Sequence, residues 1–427
     1  MLMRLLALAG LTLRSAVRSR VFAVLIAAVL VCVLGLPLII KSDGTAAGQA
    51  QLFLHYAFGL AGGLLSAAAA WSAAGAIALE VSGRQMHVLT TKPVRAIELW
   101  LGKLIGLMAI NLVMAVLAVG LIYGLLRWTT RPAALPAAER DRLREDVLSA
   151  HSLIAPIEPA PVPPGPMPGQ RVLLTVPPRA GQTWLFQAPP RPAALSLQVR
   201  FAASRLERQA PVLGDWRCTA EDGTVLLRTE SSLTPHATHT LPLAAAAPGQ
   251  RLLVAYRNAE EAAPATVLFD TATGARLWVR EGSLEGNMAR ALLLTLARLT
   301  FFTALGLTAG ALFSFPVAVF TAFAFLGFTG LSGWVETDWP ALDPNAVPAW
   351  LAAAFQQAGV LFHRLTGWIT PPLAPYDPLD FLPSGGAIPW RLVGRAWGLL
   401  AGLYGGALAL AGAWLFSRRE LGLSEKR

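Results

Sequence analysis

Apolar residues along the chain gather into long, almost uncharged runs separated by polar stretches. A helix needs about 20 such residues to cross the ~30 Å hydrocarbon layer of a bilayer. Six runs meet that requirement: Phe22 to Ile40, Phe53 to Leu79, roughly Leu104 to Leu126, Ala291 to Phe313, Phe315 to Val335 and Ala396 to Phe416. Only Arg298 puts a formal charge inside any of them. Lipid cannot satisfy backbone polar groups, so segments of this kind are expected to be α-helices. The first run exceeds a signal-peptide core and no small-residue cleavage site follows it, so it is read as a span.

A different texture fills the stretch between the third and fourth runs. A polar helical pattern, Ala137 to Ala150, leads into Pro156 to Pro168, where seven of thirteen residues are proline. Such a run is an extended spacer. From Arg171 onward come nine short β-like runs: RVLLTV, TWLFQA, LSLQVRF, WRCTA, TVLLRT, THTLPL, RLLVAY, ATVLFD and RLWVRE. Turn residues divide them at the roughly 8–12-residue spacing of an antiparallel sandwich. The expected fold is therefore a membrane all-α bundle of six transmembrane helices with an inserted extracytoplasmic, jelly-roll-like β-sandwich.

The segment boundaries follow. Residues 1–21 form an N-terminal helix, with Arg4, Arg14 and Arg18 among leucines; it either lies in the membrane interface or simply begins the first span. Residues 22–127 hold spans one to three with the loop 80–103, and 128–170 are the helical and Pro-rich spacer. The β-domain covers 171–283, spans four and five 284–335, a second outer segment 336–395, and the sixth span with its tail 396–427. Ala346 to Ile369 is apolar and helical but broken by Gln356, Gln357, His363 and Arg364, and is expected to be re-entrant or to lie on the outer surface.

Composition agrees: 55% of residues are hydrophobic and 14% charged, against about 25% charged in soluble domains. The net charge of +10 comes with no nucleic-acid motif, and the basic residues cluster where cytoplasmic loops carry them. Arg4, Arg14, Arg18 and Arg20, then Arg84, Lys92, Arg95 and Lys103, then Arg418, Arg419, Lys426 and Arg427 mark three cytoplasmic segments. Six spans put both termini inside. Cys32 and Cys218 fall in different compartments, which excludes a disulfide between them.

The most specific stretch is Glu80 to Asn111, EVSGRQMHVLTTKPVRAIELWLGKLIGLMAIN, a short polar segment between two membrane helices with a Thr91–Pro93 turn. Glu80, Arg84, Gln85, Leu89, Thr90, Pro93, Arg95, Glu98, Gly102 and Lys103 match a pattern that resembles the type-2 ABC exporter permeases. The six-span layout and the tail LFSRREL are similar too, whereas the β-domain and its spacer depart from the minimal family pattern. The resemblance implies that the loop carries a coupling helix touching an ATPase subunit, with Glu80, Arg84, Gln85, Lys92, Pro93, Arg95, Glu98 and Lys103 as the coupling residues. It also implies export across a bacterial inner membrane and pairing with a second permease copy or a sister permease. No G-x-x-x-x-G-K-[ST] is present, so ATP and Mg²⁺ are expected on the separate ATPase chain, and this chain is expected to have no catalytic residue and no cofactor of its own.

Other candidates stand beside this. Gly398, Gly402 and Gly406 repeat at the small-x-x-x-small spacing of close helix packing, as do the pairs Gly59 and Gly63, Gly102 and Gly106, and Gly306 and Gly310. The triple repeat is taken as the packing seam. Arg298 either lines a pathway or snorkels to the outer headgroups. His236 and His239 lack further ligands nearby, so no metal is expected. Trp184, Phe186, Trp216 and Trp278 suit a sandwich core, or a stacking surface for a glycan or lipid. An alternative from another class is a membrane-anchored sensor or envelope scaffold whose β-domain binds a ligand or partner protein.

Overall fold

A computed structural model describes residues 2–18, 20–39, 46–83, 96–131, 143, 147–159, 173–190, 194–204, 210–235, 238–260, 265–271, 274–338 and 371–418, with scattered positions from 348 to 361. The chain divides into two compact units, Met1–Leu148 with Leu284–Arg427, and Ser149–Ser283.

The first unit is helical: α1 Leu2–Arg18, α2 Arg20–Ile39, α3 Ala46–Ser82, α4 Ala96–Thr129, α5 Leu284–Leu312, α6 Phe315–Asp338, α7 Trp390–Ala396, a π-wound segment Trp397–Gly405 and α8 Gly406–Arg418. Pro316 sits in the first turn of α6 and Pro389 caps α7, where a missing N–H costs nothing. Among the described residues four helical stretches are long and apolar enough to cross a membrane: Ala46–Ser82, Ile97–Thr129, Leu284–Leu312 and Trp390–Leu415. The other two expected spans coincide with α2 and α6, whose apolar stretches among those residues are shorter, Ile26–Leu36 and Phe315–Gly330. The last helix starts at Trp390, before the expected Ala396, so Arg391 and Arg395 belong to a helix and not to a loop. Within 346–369 the described positions from 350 to 361 are helical.

α5 runs through the middle of this unit and buries nearly its whole circumference, from Leu294 to Ala311. A helix apolar all round is one that neighbours cover. Its closest partner is α3, which presents Ala69, Ala70, Ala73 and Ala74, all fully buried. A Cβ on Gly306 would lie 2.6 Å from the Ala70 carbonyl oxygen, and one on Gly310 2.5 Å from that of Ala74. Small residues on both helices thus let the two backbones touch. At mid-helix the Asn111 amide of α4 donates to Thr303 Oγ1 of α5 at 2.9 Å, satisfying two buried polar groups together.

The second unit is all β, with β1 Ser149–Ile154, β2 Leu173–Val176, β3 Gly181–Gln187, β4 Leu195–Ala203, β5 Val212–Ala220, β6 Val225–Leu233, β7 Thr238–Pro242, β8 Arg251–Asn258, β9 Val267–Asp270 and β10 Ala275–Ser283. All nine β-like runs of the sequence are strands; β1 is an addition. It occupies residues assigned to the spacer, because its place is decided by pairing with β10, from the far end of the unit. The unit therefore begins at Ser149 and not at 171.

One sheet runs β1-β10-β4-β9-β2 with β7 on the other edge of β4, and the second runs β3-β8-β5-β6. The orders β2-β9-β4-β7 and β3-β8-β5-β6 are those of a jelly roll built from two Greek keys. β9 and β10 share one edge of β4, Phe269 opposite Phe201 and Ala275 opposite Val199, with the chain folding tightly at Gly274 between them. Alternating residues point inward, so Trp184, Phe186, Val199, Trp216, Val254 and Phe269 form a continuous core.

Candidate functional site

The loop singled out from sequence leaves α3 at its C-terminus and enters α4. At that junction Lys103 Nζ lies 2.5 Å from Glu80 Oε1 and donates to the Ala76 carbonyl at 2.8 Å. Lys103 is only 4% exposed. Its ammonium therefore answers two needs at once, neutralising a carboxylate and capping a carbonyl in the last turns of α3, where the helix dipole favours a cation. Glu98 is buried in the first turn of α4, the end of the dipole that favours an anion.

The junction is closed by two other helices. α1 lies along α4 where glycines leave room: a Cβ on Gly102 would stand 2.6 Å from Leu8 Cβ, and one on Gly106 2.7 Å from the Ala9 carbonyl oxygen. α1 keeps Met3, Leu6 and Leu11 exposed on its other side, so apolar residues lie on both the packed and the open side of this helix. From α8, Gly412 packs against the fully buried Trp100, whose indole nitrogen would be 2.8 Å from a Cβ there. Glu80, Glu98, Gly102 and Lys103 are thus brought into one tightly packed junction. Arg84, Gln85, Lys92, Pro93 and Arg95 lie outside the described residues.

Arg298 of α5, the one formal charge inside the expected spans, has a partner in another segment. Its guanidinium pairs with Asp377 at 3.4 Å, and both side chains are about a quarter exposed. Asp377 also accepts from Leu379 N at 3.1 Å, capping the short 3-10 turn Pro378–Asp380. Nearby, Asn287 holds Gly386 and Ile388 through 2.8 and 2.9 Å bonds, and Arg290 donates to Ile388 at 2.9 Å while lying over the Trp390 ring. The polar face of α5 therefore fastens the proline-rich segment 371–389. Burial, followed by the neighbouring Asp377, raises the Asp380 pKa, while His55 of α3 pulls it down.

The triple glycine repeat does not form the expected seam. Gly398 and Gly406 have nothing within 4 Å, and Gly402 meets only the Trp397 carbonyl of its own helix. Spacing puts small residues on one face but does not say which face is covered. Among the described helical glycines, those where an added Cβ would come within 3 Å of a neighbour are Gly102, Gly106, Gly306, Gly310 and Gly412. Asn287 and Asp377 carried no motif, and only contact with another segment reveals them.

In the β unit Trp184, Phe186 and Trp216 are core, the two indoles stacked at 6.3 Å. Trp278 is 8% exposed and lies against the His151 ring, tilted by 31° with centroids 4.9 Å apart. His239 Nε2 bonds the Thr234 carbonyl oxygen at 2.8 Å, and His236 lies outside the described residues. Among the described residues no three His, Cys, Asp or Glu side chains are grouped to hold a metal. No family model and no curated protein matches the chain.

Proposed function

We propose that the chain is the membrane-spanning permease subunit of an ATP-driven exporter in a bacterial inner membrane. The observation that carries the proposal is the Glu80–Lys103 clamp at the base of the loop 80–103. A loop that relays force from a docked ATPase needs its two ends held rigidly in the helices it moves. The clamp, with α1 packed on Gly102 and Gly106, supports that role. In this reading α2 and α6 complete six crossings, both termini are cytoplasmic and the β unit is extracytoplasmic. ATP and Mg²⁺ are bound by a separate ATPase subunit, and a second copy or sister permease completes the pathway.

Arg84, Gln85, Lys92, Pro93 and Arg95 then present the ATPase contact, while Glu80, Glu98 and Lys103 position it. Purification in mild detergent should yield a nucleotide-binding subunit, and Arg84→Ala with Arg95→Ala should uncouple its ATPase without unfolding the bundle. Copurification and stimulation unchanged by those substitutions would defeat the proposal. A second reading, a membrane-anchored sensor or envelope scaffold, is favoured by a groove on the β unit lined by Arg179, Asp215, Arg228, Glu230, Arg257 and Glu260, among others; it predicts ligand binding with no ATPase partner.

A further inference from the structure

The four-stranded sheet turns one face to the core and the other outward. On the outward side a groove of ≈ 800 Å³ is lined by Arg179, Asp215, Arg228, Glu230, Arg257 and Glu260, among others. That volume falls in the range of small-molecule sites, about 300–1,000 Å³. Register fixes how the charges sit. Arg257 of β8 is opposite Asp215 of β5, which is opposite Glu230 of β6, so the three form one row across the strands. Arg228 lies two residues from Glu230 on the same face of β6.

Two carboxylates directly opposite each other on neighbouring strands repel. Among the described residues neither Asp215 nor Glu230 has an ion-pair partner, and neither Arg228 nor Arg257 does. Four charges of both signs are thus left to solvent in one groove. The rim is fixed in advance. Glu260 accepts from Leu213 N at 3.1 Å. Arg179 sits in the left-handed region, φ 63°, with its N–H donating to the Asn258 carbonyl at 3.1 Å. Asn258 is fully buried and donates to the Ala265 carbonyl at 2.8 Å. A non-glycine residue persists in that conformation only where its surroundings impose it.

We propose that this groove binds a small zwitterion, its ammonium against Glu230 and its carboxylate on Arg257, with Asp215 between the two ends and Arg179 and Arg228 alongside. Among the described residues no three carboxylates are grouped to hold a hard cation such as Ca²⁺, which takes six to eight oxygens, whereas an organic ammonium needs only a few acceptors. Among the described residues no aromatic side chain lines the groove, so a neutral sugar lacks the stacking platform it would use there. Strands are spaced about 4.8 Å apart, which puts Arg257 and Glu230 roughly 10 Å apart. An extended tripeptide spans about 10 Å, and a free tripeptide is therefore the ligand class that fits. The inference concerns the β unit alone and does not rest on the transport reading.

The test is calorimetric titration of the full-length chain in detergent with trialanine, N-acetyl-trialanine, trialanine amide and glycerophosphoethanolamine, whose charges are closer together. Trialanine should bind saturably, and blocking either end should weaken binding by about tenfold or more, the loss of one charge-assisted contact. Asp215→Asn with Glu230→Gln should erase the preference for the free amine, and Arg257→Gln that for the free carboxylate. Glu230→Gln should also raise the unfolding midpoint of the unliganded chain, because it removes the facing like charge. Absence of saturable binding at millimolar trialanine, equal binding of blocked and free peptides, tighter binding of the headgroup, or a lowered midpoint in Glu230→Gln would each overturn the proposal.

Discussion

Two sets of glycines with the same sequence spacing should respond in opposite directions to the same substitution. Alanine is better than glycine in a helix interior by about 1 kcal/mol, from backbone entropy alone. At Gly398 and Gly406 the added methyl meets nothing within 4 Å, so each Gly→Ala change should stabilise the bundle by most of that amount. At Gly310 the methyl would stand 2.5 Å from the Ala74 carbonyl oxygen and 3.3 Å from Ala74 Cα. Both are backbone atoms of α3 and cannot swing away, so the helices must separate. Overpacking of this kind costs about 1–3 kcal/mol, and parting a seam lined by fully buried alanines falls toward the upper end. Net of propensity, Gly310→Ala should destabilise by about 1–2 kcal/mol. Unfolding of purified variants in mild detergent, followed by far-UV circular dichroism, reads both signs. Stabilisation by Gly310→Ala, or destabilisation by Gly398→Ala as large as that of Gly310→Ala, would refute the assignment of the seam to α3 and α5.

Other expectations follow from single contacts. Lys103→Met strands a Glu80 carboxylate that is 30% exposed, so it should cost about 1–3 kcal/mol in detergent unfolding, most of it recovered when Glu80→Gln is added; a neutral single variant would show the clamp carries no stability. Burial lowers the His151 pKa to about 4, against about 6.5 in the unfolded chain. The unfolded state thus binds the extra proton between those values: stability is constant above about pH 6.5, falls as pH drops toward 4, and is flat below, a total of ~3 kcal/mol. His151→Gln should flatten that slope in a pH series of unfolding midpoints. Cys218 is buried and its thiol pushed up to about 11, so maleimide at pH 7 should label it only at the rate of unfolding, read by mass spectrometry.

The parts legible in sequence were those set by local pattern. Period-two alternation in stretches such as LSLQVRF marked strands correctly, because a sandwich buries every other residue whatever the topology. Long apolar runs marked helices for the same reason. What escaped was decided by contact between distant segments. β1, SAHSLI, has no clear alternation and exists because β10 returns to pair with it. Arg298 looked like a lone charge in lipid, since nothing in its own helix announces Asp377, 79 positions away. Gly102 stands in the loop motif and, with Gly106, at small-x-x-x-small spacing, yet that spacing does not name the helix it receives; Leu8 is visible there only once α1 folds back. Lys103 and Glu80 were both picked out, but as separate marks in a pattern, not as the two halves of one clamp.

Ser149 and Ser283, the first and last residues of the β unit, face each other as partners in an antiparallel ladder, which holds their Cα atoms about 5 Å apart. To the helical chain, 135 residues from Ser149 to Ser283 occupy a gap that a residue or two could bridge. Such an arrangement makes the unit removable in the genetic sense. A single insertion point in the helical chain suffices to carry the whole unit. A deletion joining Leu148 to Leu284 through a short Gly-Ser bridge should leave the helices assembled, so that the β unit can change or be exchanged without altering the fold of the helical unit.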